Sequence, residues 1–195
     1  MKQLMSTGGW VAVGVGVLVL LIIIFIAWWI STYNKLIEKR NRVKNSWAQI
    51  DVQLKRRFDL VPNILETVKG YAAHEKEILL QFAEARKLYT ASSQEGDVEG
   101  VAKASSQLNK LVTMTMERYP ELKADAQFIS LQNVLKDSED KIAFTRQFYN
   151  DVVMDFNNLR EKFPSSIVAN VGGFKEAKLF QIDDEAQREA PKVSF

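Results

Sequence analysis

The 195-residue chain has no cysteine, a single histidine, 4 prolines and 9 glycines. Each shortage removes a class of function. Without cysteine there is no disulfide, no thiolate metal site and no cysteine nucleophile. With His74 alone, a histidine-rich metal site or a Ser-His-Asp triad needs a second subunit. His74-Glu75 begins the zinc motif H-E-x-x-H, but Ile78 stands where the second histidine belongs, and a solvated helix face accounts for the pair. Glu139 and Asp140, with Asp183 to Glu185, could attract a cation, yet no calcium-loop spacing is present. There is no glycine-rich phosphate loop, because Gly8, Gly9, Gly14 and Gly16 lie in or beside an apolar run. No stretch alternates with a period of two long enough to build a sheet. The expectation is a helical protein that is not an enzyme and holds no cofactor or metal.

Charge is also missing where it matters. From Gln3 to Asn34 no residue is charged, and Trp10 to Ile30 gives 21 residues dominated by apolar side chains. At 1.5 Å per residue such a helix spans about 31 Å, the thickness of a hydrocarbon core. Trp10 at one end and Trp28 with Trp29 at the other fall where aromatic belts form. A cleaved signal peptide would have a shorter apolar region and a small-residue cleavage site, which AWWIST does not provide. The run therefore reads as an uncleaved transmembrane helix, with residues 1–9 as a short extracytoplasmic N-terminus.

The flanks orient it. Lys2 stands alone before the span, while Lys35, Lys39, Arg40, Arg42 and Lys44 crowd the other side. Positive flanks stay inside, which predicts a cytoplasmic C-terminal domain at a bacterial inner membrane. The same five residues are candidates for the membrane surface and for anionic lipid headgroups, although setting topology would by itself explain them. Residues 31–60 carry eight basic against three acidic side chains, and residues 61–195 carry 17 against 21. Net positive charge concentrated near the membrane is not the spread expected of a nucleic-acid binder. Within the span, Gly8, Ala12 and Gly16 share one helix face and would let two such helices approach closely.

Beyond the span, Leu36, Val43, Trp47, Ile50, Leu54, Phe58, Val61, Leu65, Val68 and Ala72 recur mostly in steps of four and three, an amphipathic helix. Pro62 predicts a kink or break in it. The pattern resumes through Ile78, Leu79 and Phe82 to Leu88, and fades in the loop-like TASSQEGD. A second helix opens near Asp97 and Gly100, carries Val101, Ala104, Leu108, Leu111 and Thr115, and stops at Tyr119-Pro120. A third runs from about Ala124 to Phe163 on Phe128, Leu131, Leu135, Ile142, Tyr149, Val153, Phe156 and Phe163. Ser165 is placed to cap a short helix closed by Gly172-Gly173. The fold class is all-α: an N-terminal transmembrane helix, then an up-and-down bundle of long antiparallel helices, three long and one short. The bundle is expected over 31–172, with a C-terminal tail, 173–195, that looks extended.

Two sets of residues stand out for binding. The first helix exceeds its partners in length, so Tyr33 to Trp47 is expected to project as a stalk. Its stripe of Leu36, Val43, Trp47 and Ile50 would then bury itself against a second copy, making a homo-oligomer. The second set is polar: Arg57, Asp59, Asn63 and Glu66 around Pro62, and Glu139, Arg146, Asn150 and Asn157 on or beside the stripe of the third helix. Opposite charges on two helices suggest an interhelical network, unless the side chains simply reach solvent.

With these residues in hand, the chain resembles the LemA family of bacterial membrane proteins along nearly its whole length. The resemblance rests on YNKLIEKRNRVKNSWAQIDVQLKRRFDLVPNILETVKGYAAHEKE, ERYPELKAD, TRQFYNDVV, FPSSIVANVGGF and APKVSF taken together. It implies a helical bundle on one N-terminal anchor. A magnetosome-associated member points to roles in organising membranes, and no catalytic residues carry over. The function expected is a membrane-anchored scaffold or adaptor that binds its own copies or membrane and cytoplasmic proteins. The alternative is lipid binding or membrane shaping through the basic juxtamembrane helix.

Overall fold

A computed structural model describes residues 7–71 and 76–181. Every regular element among them is helical: α1 Thr7–Phe58, α2 Val61–Lys69, α3 Lys76–Glu95, α4 Val98–Arg118, a 3-10 turn Pro120–Ala124, α5 Ala126–Glu161 and α6 Ser165–Val171. His74 and the segment APKVSF fall outside the described residues, as do Asp183 to Glu185.

The break expected at Pro62 is present. The helix stops at Phe58, Asp59 and Leu60 turn, and Pro62 sits in the first turn of α2, where a missing N–H costs nothing. The turn re-phases the buried face, so Ile64 is buried and Leu65 only half-buried. The helix expected to continue to Leu88 instead ends at Lys69. Gly70 closes it, with the Tyr71 N–H donating to the Val68 carbonyl at 3.0 Å, and α3 begins at Lys76.

The stretch read as a loop, TASSQEGD, is helical through Glu95. The reason is a Schellman cap: Gly96, at φ +68°, donates to Ser93, and Asp97 donates to Ser92 at 2.8 Å. Only Gly96 and Asp97 then separate α3 from α4, and the hairpin closes tightly. A methyl group on Gly100 would stand 2.2 Å from Ser92 Oγ and 2.9 Å from its Cβ. On α4 the whole expected stripe, Val101, Ala104, Leu108, Leu111 and Thr115, is buried. Asp125 caps α5, its Oδ1 accepting the Phe128 N–H at 2.9 Å.

The chain divides into two compact units. One comprises α1 as far as Arg42 together with Met154–Ala177, and the other comprises Val43–Val153 with the described residues from Lys178 on. In the larger unit Phe58 stacks on Tyr89 with centroids 4.2 Å apart, among Ile50, Leu54, Phe82, Leu108 and Ile142, all buried. In the smaller unit Leu36, Phe156, Val168, Ala169 and Phe174 are buried.

That second core overturns the projecting stalk. Leu36 and Ile50 are both 0% exposed, so neither offers area to a second copy. Trp47 is half-buried and lies against the rings of Tyr149 at 5.5 Å and Phe180 at 5.9 Å. The physical reason is the reach of the chain's own C-terminal part, since α5 is 36 residues long and a segment without regular secondary structure follows α6. Two smaller expectations also change. Phe163, placed on the α5 stripe, lies in the turn after Glu161 and is exposed. Ser165 does not cap α6; its hydroxyl donates back to the carbonyls of Leu159 and Lys162 at 2.6 and 2.8 Å.

Candidate functional site

The smaller unit is built on one face of α1. Residues 10–27 are exposed throughout, and α1 is long and apolar enough to cross a membrane. Phe25, Trp28 and Trp29 form a ring cluster with centroids 5.8 to 6.5 Å apart at the end of the apolar run. Ala12 is exposed, and nothing lies within 4 Å of where a Cβ on Gly16 would stand. Gly8 begins the same helix, and its surroundings fall outside the described residues.

Past the tryptophans, Tyr33 meets Phe174 edge-on at 5.5 Å, and Phe174 also touches Phe156 at 6.4 Å. The Arg40 guanidinium lies 5.3 Å above the Phe174 ring, a cation–π contact. Lys39 donates to Asp155 at 2.9 Å, and this hydrogen bond, with the Lys39 charge behind it, holds the Asp155 carboxyl below the ordinary range. Two of the five basic candidates are thus engaged within the chain. Lys35, Arg42 and Lys44 are exposed and make no ion pair among the described residues.

Phe174 reaches its place through a second Schellman cap. Gly173, at φ +67°, donates to Asn170, and the Phe174 N–H donates to Ala169 at 3.0 Å. Gly172 must be small, since a Cβ there would meet the Phe174 ring at 2.6 Å and Tyr33 at 3.0 Å. After this turn the chain has no regular secondary structure and is held by side-chain amides of α5. Asn157 donates to the Ala177 carbonyl at 2.9 Å and accepts its N–H at 3.0 Å. In the larger unit Asn150 makes the same pair of hydrogen bonds with Phe180, donating to its carbonyl at 3.1 Å and accepting its N–H at 2.9 Å. Each asparagine imitates a strand partner. Tyr149 adds a bond from its hydroxyl to the Lys178 carbonyl at 2.8 Å, and burial pushes its pKa up to about 12.

The expected polar network is therefore smaller than the eight residues named for it, and different. Arg57, 3% exposed, donates to Asn109 Oδ1, while Asn109 donates to Glu139 at 3.0 Å and Glu139 stands 3.8 Å from Arg57. Burial lowers the Arg57 pKa and Glu139 partly restores it. Asp59, in the turn after α1, pairs instead with Lys55 of the last turn of that helix at 2.7 Å. Asn63 and Glu66 are exposed, because the turn at Asp59 and Leu60 rotates α2 off the face that carries Arg57. Arg146 is half-buried with no hydrogen bond or ion pair among the described residues, and Asn150 serves the segment after α6 rather than another helix. Asn109 was missed, though it sits next to Leu108 on the edge of the α4 stripe. Asn150 and Asn157 recur seven residues apart, which signals a shared partner without naming it.

Arg57, Asn109, Gln132 and Glu139 line an open hollow of about 450 Å³. Among the described residues no group of three His, Asp or Glu side chains could hold a metal ion.

Comparison with known proteins bears on this arrangement. The model of the LemA family matches residues 46–195. A protein named Protein LemA from Metamycoplasma hominis is 25% identical over 174 residues, covering 85% of this chain and 78% of that protein. Magnetosome protein MamQ 2 from Paramagnetospirillum magneticum is 23% identical over 190 residues, covering 84% and 70% respectively. Magnetosome protein MamQ from Magnetospirillum gryphiswaldense is 22% identical over 189 residues, covering 83% and 69%.

Proposed function

The chain belongs to the LemA family, and we propose that it is a single-pass protein of a bacterial inner membrane whose cytoplasmic helical bundle acts as a scaffold or adaptor. One observation carries this reading. A single unbroken helix, Thr7–Phe58, holds both the uncovered apolar run and the buried residues Leu36, Ile50 and Leu54. Within the smaller unit the helix joins the apolar run directly to the core residue Leu36, which suits a part that positions other molecules. The basic flank after the span supports the cytoplasmic orientation. The residue inventory supports a non-catalytic role, with no cysteine and His74 alone. Likeness to magnetosome proteins is in keeping with work at a membrane.

Partners are membrane or cytoplasmic proteins, and further copies of the chain. Since the Leu36 and Ile50 stripe is filled from within, self-association falls to the open face of the span at Ala12 and Gly16. Crosslinking in native membranes, followed by mass spectrometry, should recover defined partners or copies. A strictly monomeric chain with no reproducible crosslink would overturn the scaffold. A reporter fused after Phe195 should be active only in the cytoplasm, and periplasmic activity would reverse the topology. The lipid reading keeps support from Lys35 and Lys44, which are exposed and not ion-paired among the described residues. Salt-sensitive binding of anchor-free protein to anionic vesicles would favour it.

A further inference from the structure

The outer face of α6 is apolar where a solvated helix would be polar. Its inner face buries Ser165, Val168 and Ala169, as expected of a packed helix. Facing outward are Phe163 just before the helix, at 82% exposed, Ile167 at 48% and Val171 at 72%. Ile167 and Val171, four apart, share one face of α6, and Phe163 adds an exposed ring in the turn that leads into it. A contiguous apolar stripe left open marks a docking face.

The register of α1 against α5 says what covers it. Lys39 is bonded to Asp155, and Lys35 lines the same hollow as Leu159 and Lys162, so the two helices run antiparallel there. Carried on at one residue per residue, that register sets Phe163 opposite Ser31, directly after the last apolar residue of the span, Ile30. The other end of α6 is fixed independently. Gly172 and Phe174 lie against Tyr33, three positions past Ile30, a rise of about 4.5 Å along α1. The interfacial layer on each side of a bilayer is about 5–8 Å deep, which matches the short stretch of α1, Ser31 to Tyr33, against which the two ends of α6 are set. Exposed Lys162 and Lys175 flank the stripe, the arrangement of a short helix lying in an interface, although Glu161 and Glu176 reduce the local charge.

We propose that α6 is a second membrane contact, with Phe163, Ile167 and Val171 inserted at the headgroup–acyl boundary of the bilayer that residues 10–30 cross. The inference rests on that anchor reading and adds to it. The anchor alone would leave the bundle free to tilt about one helix, whereas a second point of contact beside it fixes the tilt and the rotation. The partner is the lipid surface itself, recognised by an apolar stripe with basic flanks rather than by a particular headgroup.

The chain has no cysteine, so a single introduced thiol reports one site. Full-length Ile167→Cys, Val171→Cys and Phe25→Cys would each be labelled with an NBD fluorophore. The variants would then be reconstituted into vesicles of phosphatidylcholine with phosphatidylglycerol. NBD at 167 and at 171 should be blue-shifted, shielded from iodide, and quenched most by lipids spin-labelled close to the headgroup, at a depth of about 5–10 Å below the surface. NBD at 25 should be quenched most by lipids labelled deep in the acyl chain. If 25 reports the bilayer core while 167 and 171 behave as in water, the inference falls and the anchor stands. If 25 is also in water, the anchor reading falls and takes the inference with it. Efficient intermolecular disulfide formation by unlabelled Ile167→Cys would assign the stripe to a second copy and overturn the lipid contact. Circular dichroism equal to the wild type establishes that each variant is folded.

Discussion

Arg57 shows how one buried charge is tolerated. Its Nε has no hydrogen-bond partner among the described residues, its pKa is lowered by burial, and the compensating carboxylate of Glu139 is half in solvent. Such a group specifies geometry more than it stabilises. Arg57→Ala strands Asn109 and leaves a void, so a loss of about 1–3 kcal/mol is expected in chemical denaturation. Arg57→Met fills the same space without the charge and should be neutral or more stable than the wild type. A loss of equal size in both variants would mean that the ion pair itself holds the helices together.

Asp125 provides a pH dependence with a definite sign. The Phe128 N–H, and then the Tyr71 hydroxyl at 2.8 Å, hold its carboxyl below the usual carboxylate range. A depressed folded pKa contributes stability above the unfolded value of about 3.9, and that contribution is lost as pH falls through the folded value. Asp125→Asn keeps an acceptor for the helix end without the charge. Its thermal midpoint should therefore fall less than that of the wild type between neutral pH and pH of about 3. Parallel decline of the two proteins would place the acid sensitivity elsewhere.

Among the elements, the segment after α6 depends on two amides rather than on a sheet. Asn157 satisfies both backbone groups of Ala177, and Asn150 both of Phe180. Aspartate at position 157 keeps the acceptor and loses the donor, leaving the Ala177 carbonyl unpaired at a cost of about 1–3 kcal/mol. Hydrogen exchange locates the effect: Asn157→Ala should release the Ala177 amide, while the Phe180 amide stays protected. Equal release at both positions would show that the segment detaches as one piece.

Sequence periodicity located α4 and most of α5 because their stripes are uninterrupted, and every residue expected to line α4 is buried. It failed where the helix changes phase. The turn at Asp59 and Leu60 brings Ile64 inward in place of Leu65, and it removes Asn63 and Glu66 from the face they were expected to share with Arg57. A helical wheel continued across the break misplaces Asn63, Leu65 and Glu66, while Val61 and Val68 are buried as the stripe expected.

On the scale of the whole molecule, Leu36, Trp47 and Ile50 of the expected stalk are part of the fold. Trp47→Ala removes ring contacts with Tyr149 and Phe180, so its effect should fall on stability. Full Trp truncation in a core costs about 3–5 kcal/mol, and half-burial places this site at or below the lower end. Mass-resolved size exclusion in mild detergent should show the same assembly state as the wild type. A change in mass at unchanged melting temperature would restore Trp47 to an intermolecular interface.

Composition and hydropathy by themselves determined that the chain is helical, that residues 10–30 are apolar enough to cross a membrane, and that cysteine chemistry and a single-chain His triad are excluded. These properties depend on local content and short periods, which a linear reading contains. Tertiary structure alone decided which apolar faces remain open. The stripe of Leu36 and Ile50 and the stripe of Phe163, Ile167 and Val171 look equally apolar in sequence, yet the first is buried and the second is exposed. The difference arises from distant chain, since covering a face depends on where α5 and the segment after α6 return, and no local pattern records that.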